Sequence, residues 1–183
     1  MSKLLYSATM SLDGFIAGHG GDMSWLTTHL GADPGVPKLM DAIGALLIGR
    51  ATFDGDDPNR GTDKEGAFGG RWKGPQLVLT HRPPQQPVPG IEFHTDLHDA
   101  VSAAKAAAGD RYVNVLGATV ARACLDAGLL DEILVLVAPV MLGDGVALFE
   151  RPGGTRVELE RLKVSQSPGA THLWFRVGSA GRR

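Results

Sequence analysis

The sequence predicts an α/β fold with a mostly parallel central sheet, helices on both of its faces and an antiparallel hairpin at the C-terminal end. Three observations carry this. The apolar runs Ala45–Ile48, Val113–Leu116 and Ile133–Val137 are of the continuous kind found in strands buried on both faces. Helical patterns alternate with them, which favours parallel strands joined by crossovers. The last two strand-like stretches, Val157–Ser165 and Thr171–Val177, instead alternate apolar and polar residues on either side of Gln166–Ala170, as a half-exposed hairpin does.

Taken in order, Leu4–Met10 reads as the first strand and Ser11-Leu12-Asp13-Gly14 as the turn after it. Phe15-Ile16-Ala17 is a short apolar return and Gly18–Gly21 a flexible loop, with Asp22-Met23-Ser24-Trp25 placing large side chains at its far end. Pro34 and Pro37 lead into a helix near Pro37–Ile43; proline is tolerated in a first turn because its missing N–H has no helical partner there. After the Ala45–Ile48 strand comes Gly55–Gly74, with six glycines, one proline and eight charged residues. A loop this long in a compact domain is usually functional or mobile, and it reads as a lid, a dimer contact or a plain surface insertion. Gln76–Thr80 and Ile91–His94 are strands flanking the proline-rich His81–Pro89. Thr95 or Asp96 caps a helix running to about Ala108, with Leu97, Val101, Ala104 and Ala108 on one face and Gly109 as its stop. The Val113–Leu116 strand, a helix over Ala118–Ala127 stopped by Gly128, and the Ile133–Val137 strand complete the pattern. Residues 1–178 read as one domain and 179–183 as a frayed tail.

Composition narrows the function classes. A chain of 183 residues supports one sizeable core. With 21% charged residues and a net charge of −2 there is no electrostatic case for nucleic acid or an anionic membrane. No segment approaches the roughly 18 apolar residues of a membrane span, and the N-terminal MSKLLYSATM reads as a strand rather than a signal peptide; a cytoplasmic protein is the expectation. Cys124, the one cysteine, reads as a small buried thiol. His19, His29, His81, His94, His98 and His172 are scattered, so no metal site is expected.

Two junctions stand out. Leu46-Leu47-Ile48 runs into Gly49-Arg50-Ala51-Thr52, and Val113–Leu116 runs into Gly117-Ala118-Thr119. A strand feeding a glycine at a helix start leaves free N–H groups aimed at one spot, which suits a phosphate. Two such devices suggest a ligand with a pyrophosphate, and a dinucleotide is the simplest. Arg50 adds a charged donor suited to phosphate.

Ser11-Leu12-Asp13-Gly14-Phe15-Ile16-Ala17, Asp22-Met23-Ser24-Trp25, Ile48-Gly49-Arg50-Ala51-Thr52-Phe53-Asp54, Leu79-Thr80-His81-Arg82-Pro83, Leu116-Gly117-Ala118-Thr119 through Leu129-Leu130-Asp131-Glu132, and Pro139-Val140-Met141-Leu142-Gly143 follow one another along nearly the whole chain. On these pieces the sequence resembles the dihydrofolate reductase-like superfamily, and more closely the C-terminal reductase domain of the riboflavin-biosynthesis deaminase/reductase proteins. The resemblance implies a dihydrofolate reductase-like three-layer fold and NADPH as cofactor. It implies that Gly49, Arg50, Ala51 and Thr52 hold the pyrophosphate from one side and Leu116, Gly117, Ala118, Thr119 and Val120 from the other. Thr80, His81 and Arg82 fall where relatives receive the adenosine ribose, and Arg82 would favour NADPH by pairing the 2′-phosphate. Thr9, Ile16 and Ala17 would line the nicotinamide.

The chain also departs from that pattern. With one cysteine it cannot supply the zinc ligands of the deaminase half. Phe15 stands where riboflavin-pathway reductases commonly carry a lysine, Ala118 where a second glycine is frequent, and Leu30, beside Thr28 and His29, where dihydrofolate reductases grip the pterin with a carboxylate. Hydride transfer needs reactants held close and dry more than it needs acid–base groups. Met23, Trp25 and Phe53 are the apolar candidates for the substrate pocket, and Asp13 and Asp54 the candidate catalytic carboxylates, although Asp13-Gly14 is also a common turn pair. The reading is an NADPH-dependent reductase of a C=N or C=O bond in a small heterocyclic metabolite, pterin-like or riboflavin-pathway-like. A deazaflavin- or flavin-using reductase of the same fold and a non-catalytic nucleotide-binding module are the alternatives. By analogy a homodimer is expected, paired through a sheet edge, with Ile133–Val140 as the candidate run.

Overall fold

A computed structural model describes residues 2–29, 35–55, 57 and 59–178. Its frame is one eight-stranded sheet with the order β5-β4-β3-β6-β1-β7-β10-β9. The strands are β1 (Leu4–Ser11), β3 (Ile43–Gly49), β4 (Gln76–Leu79), β5 (Ile91–His94), β6 (Tyr112–Leu116), β7 (Glu132–Ala138), β9 (Leu159–Ser167) and β10 (Ala170–Val177). β1, β3, β4, β5, β6 and β7 run parallel, whereas β10 is antiparallel to both β7 and β9. The predicted α/β class holds. The C-terminal hairpin is tighter than the sequence suggests, with Ser167 paired to Ala170 across Pro168-Gly169, the short connection that antiparallel strands favour.

The helices are α1 (Leu26–His29), α2 (Gly35–Ala42), α3 (Arg50–Phe53), α4 (Leu97–Ala108) and α5 (Ala118–Asp126). α4 starts where Asp96 accepts from the N–H groups of His98 and Asp99 and places Ala100, Val101, Ala104 and Ala108 against the sheet. α5 adds Val120, Ala121 and Cys124 to the same core, whose sheet side includes Leu4, Tyr6, Leu47, Val113 and Val115. Burial pushes the Cys124 thiol up to about 12, so it stays neutral. The opposite face of the sheet carries Ile43, Leu46, Ile48 and Val78, covered by Leu39 of α2. Ala67, Phe68 and Trp72 from the Gly55–Gly74 segment pack on that same cluster, so the second half of this segment is core cover rather than a free lid.

The short apolar return Phe15–Ala17 (β2) pairs with Val146–Ala147 (β8) in a separate two-stranded sheet. One further expectation changes. β7 lies between β1 and β10, so Ile133–Val140 offers no sheet edge; the edges are β5 and β9. Leu30 and the 179–183 tail lie outside the described residues. Among the described residues no helix is long and apolar enough to cross a membrane.

Candidate active site

β1 changes character halfway along. Leu4, Leu5 and Tyr6 are buried, but Ser7, Ala8, Thr9 and Met10 are only half-buried although the strand has neighbours on both sides. Leu136 and Val137 on β7 open in the same way. The sheet is thus uncovered toward the C-terminal ends of its central parallel strands, the place where open α/β sheets receive ligands.

Three chain turns gather at that end. Ile48 pairs with Leu116 and Gly49 with Leu79, which sets the turns after β3, β4 and β6 side by side. Gly117 has φ +105°, and a Cβ there would lie 2.3 Å from Thr52 Oγ1; only glycine lets the two turns come this close. A Cβ on Gly49 would stand 3.4 Å from Val120 Cγ1. The first helical bond of α5 runs from Ala121 N–H to the Gly117 carbonyl, and no side chain caps the helix. The N–H groups of Ala118, Thr119 and Val120 therefore have no partner within α5. Val120 can take part only through its backbone, since its side chain is buried in the core.

The first junction differs from expectation. α3 is a single turn of four residues, too short to sum a useful macrodipole. Its contribution is instead geometric. Arg50 pairs with Asp54 through Nε and donates from Nη1 to the Arg82 carbonyl at 3.2 Å. Arg82 N–H in turn donates to Thr80 Oγ1 at 3.1 Å, and Thr80 N–H to the His94 carbonyl at 2.9 Å. Arg50 so ties the β3 turn to the β4 turn, while the His81 and Arg82 side chains stand exposed beside it. Ala51, Thr52 and Thr119 are exposed and Ala118 half-buried, giving a shelf bordered by Arg50 and Arg82.

On the other flank, Leu12 N–H donates to the Val140 carbonyl at 2.7 Å and Leu148 N–H to the Gly14 carbonyl at 2.9 Å. Asp13 locks this join. It accepts from Ser11 Oγ at 2.6 Å, Gly143 N–H at 2.7 Å and Leu142 N–H at 3.1 Å. The Ser11 hydroxyl first, then the two N–H groups, hold its carboxyl below the usual range. An acid so held keeps no proton to give at neutral pH, so the geometry suits a loop clamp rather than a proton donor. Ile16 and Ala17 sit in β2 within this join. Met23 and Trp25 follow on a turn set by Asp22, whose carboxylate accepts from Ser24 N–H and Oγ; both are half-buried. Phe53 turns instead into the second core cluster, edge-on to Phe93 at 5.6 Å, which is a packing role. Asp54 is exposed and paired with Arg50.

The sequence reading missed Ser7 and Asn114. Ser7 Oγ donates to Asn114 Oδ1 at 2.8 Å, and the carboxamide is wholly buried. The signal was present at Asn114, an amide between valines in β6, because a buried amide needs a partner. A cavity of about 170 Å³ lies on the same sheet face, between α2 and the β7, β10 and β9 strands. A second, of about 230 Å³, lies at the opposite end of the sheet near Lys3, Asp131 and Arg176. Among the described residues no cluster of three His, Cys, Asp or Glu side chains stands ready for a metal.

Comparison with known proteins places this geometry. A family model described as the RibD C-terminal domain matches residues 2–173. The uncharacterized protein YyaP of Bacillus subtilis strain 168 is 26% identical over 159 residues, 80% of each chain. A candidate riboflavin biosynthesis protein from Shewanella sp. PV-4 superposes with a TM-score of 0.74 at 23% identity, covering 97% of this chain and 99% of that one. Dihydrofolate reductase from Enterococcus faecalis, complexed with NADP(H) and RAB-propyl, superposes with a TM-score of 0.59 at 16% identity, covering 96% of each. These structures share the dihydrofolate reductase-like fold.

Proposed function

Because this chain belongs to the RibD C-terminal domain family, we propose that it is an NADPH-dependent reductase that transfers a hydride to a C=N or C=O bond of a small heterocyclic metabolite, pterin-like or riboflavin-pathway-like. The observation that supports it most is the approach of the Gly117 turn to Thr52, a cradle that a single methyl group would fill. The donor set fits a dinucleotide diphosphate: unpartnered N–H groups at the start of α5, the Thr52 and Thr119 hydroxyls, and Arg50 and Arg82 at the border. Arg82 and His81 would receive a 2′-phosphate, while Thr9, Ile16 and Ala17 would bound the nicotinamide end. Bound NADPH would supply the hydride.

The protein's own part is to orient and to exclude water. The clamp at Asp13 fixes the β1 turn against the 139–143 loop, and β2 pairs with β8 in the small sheet that follows that turn. Met23 and Trp25 make the apolar side on which a substrate ring would rest. Among the described residues the two candidate acids are both engaged, Asp13 by Gly143 N–H and Asp54 by Arg50; water is the proposed proton source. That same engagement supports a second reading, a nucleotide-binding module without catalysis. The proposal includes a cytoplasmic location and a homodimer, whose sheet-edge pairing would use β9 or β5.

Tryptophan fluorescence during NADPH titration, followed by NADPH absorbance with dihydrofolate and a panel of pterins and pyrimidinones, tests this. Binding with consumption supports the reductase. Binding without consumption across the panel leaves the module reading standing, and an absence of binding defeats both.

A further inference from the structure

The cavity under α2 has a chemistry of its own. Its bed is apolar, formed by Leu134 and Leu136 of β7 and Leu39 of α2. One wall is Trp174 of β10, and that indole is fixed: Nε1 donates to Glu132 Oε2 at 2.8 Å, and the ring leans on Tyr112 with centroids 6.1 Å apart. Glu132 is itself held by Lys3 Nζ at 2.8 Å and Tyr112 hydroxyl at 3.0 Å, with only 3% of its side chain exposed. A buried carboxylate bound by three donors does not move readily, so the aromatic wall is set before any ligand arrives. Lys38 of α2 and Lys163 of β9, both exposed, also line it, and no acidic side chain is among the described lining residues. A cavity of about 170 Å³ is below the roughly 300–1,000 Å³ of drug-sized sites, which suits a single ring.

We propose that this cavity is a binding site for an aromatic or heteroaromatic ring bearing a carboxylate, with the ring against Trp174, Leu134 and Leu136 and the carboxylate between Lys38 and Lys163. Flat rings gain from a rigid aromatic wall, and two lysines lining the same cavity favour an anion over its neutral isostere, modestly because both are exposed. The site adjoins the cleft, since Leu134 pairs with Ser7 and Leu136 with Thr9 across β1 and β7. The same chemistry can arrive in two ways, as the acidic substituent of the hydride acceptor or as a separate small aromatic acid.

The test uses benzoate and benzamide, which share a ring and differ in charge, titrated into the full chain with tryptophan fluorescence as readout. Benzoate is expected to bind at least about fivefold more tightly than benzamide, from two partly exposed ion pairs. Lys38→Ala with Lys163→Ala is expected to erase that preference while weak benzamide binding persists, and Trp174→Phe to remove the fluorescence response while calorimetry still detects benzoate. Equal affinity for the two probes, or benzoate affinity unchanged in the double lysine variant, overturns the proposal. NADPH titrated in parallel keeps the outcomes separate: a failure there defeats the reductase reading and leaves this site intact. If NADPH consumption is observed, competition by benzoate against the hydride acceptor identifies the site with the acceptor's acidic end, and non-competitive behaviour with a separate ligand.

Discussion

The two ends of the parallel strands are built on opposite plans. At their starts, Glu132 collects Lys3, Tyr112 and Trp174 and joins β1, β6, β7 and β10. Burial works against its charge, yet the Lys3, Trp174 and Tyr112 donors outweigh that and hold its carboxyl below the ordinary value. At their ends, the strands give way to glycine turns with unpartnered N–H groups, and β1 lies half open. Polar groups at one end satisfy each other; at the other, the N–H groups that begin α5 have no partner within the helix, and the proposed function gives them a ligand. A fold can leave donors unused at one end of its strands when the other end is locked.

Substitutions can break either half of this contrast. Gly117→Ala is expected to cost the most, about 2–3 kcal/mol in urea unfolding, because its φ and the 2.3 Å approach to Thr52 Oγ1 both resist a methyl group. Adding Thr52→Ala should return part of that loss without restoring NADPH affinity. Glu132→Leu comes next. It strands three donors, and a loss of about 2 kcal/mol is expected, with unchanged NADPH affinity in the folded fraction. Equal damage to NADPH binding would erase the distinction between the two ends. Arg82→Ala should leave stability within about 0.5 kcal/mol but weaken NADPH far more than NADH in calorimetry. Equal losses would remove the proposed 2′-phosphate contact.

The mildest effect concerns Asp13. Its folded pKa is depressed, so its clamp is complete wherever the carboxyl is ionised and is lost as the pH falls through that depressed value. Amide exchange at Leu142 and Gly143 should therefore stay protected from neutral pH downward and open only below about pH 4. Asp13→Asn should open the same amides at pH 7 without altering global unfolding. Protection that already fades near pH 6 would assign the clamp to another group.

Much of this contrast was legible in the sequence, for a physical reason in each case. Strands buried on both faces are largely apolar, so Leu46–Ile48 and, apart from Asn114, Val113–Leu116 declared themselves. A left-handed turn needs glycine, so Gly117 and Gly109 marked their helix ends. Features set by tertiary contact did not show. β8 has two residues and exists only because it meets β2. α3 is one turn, below any detectable period. Phe68 and Trp72 reach the core from a glycine-rich segment with no periodicity. Asp13 and Phe53 stood at family positions that suggested chemistry, while their neighbours, 129 residues away for Leu142, give them structural work.

The central claim is that the turns at Gly49 and Gly117 hold one diphosphate between them. Amide chemical-shift mapping of the full chain during NADPH titration tests it most directly. The account predicts saturable shifts concentrated at residues 49–52 and 117–120, with Arg82 moving for NADPH and less for NADH. Saturable binding that leaves both glycine turns unmoved, or moves only one of them, would contradict it.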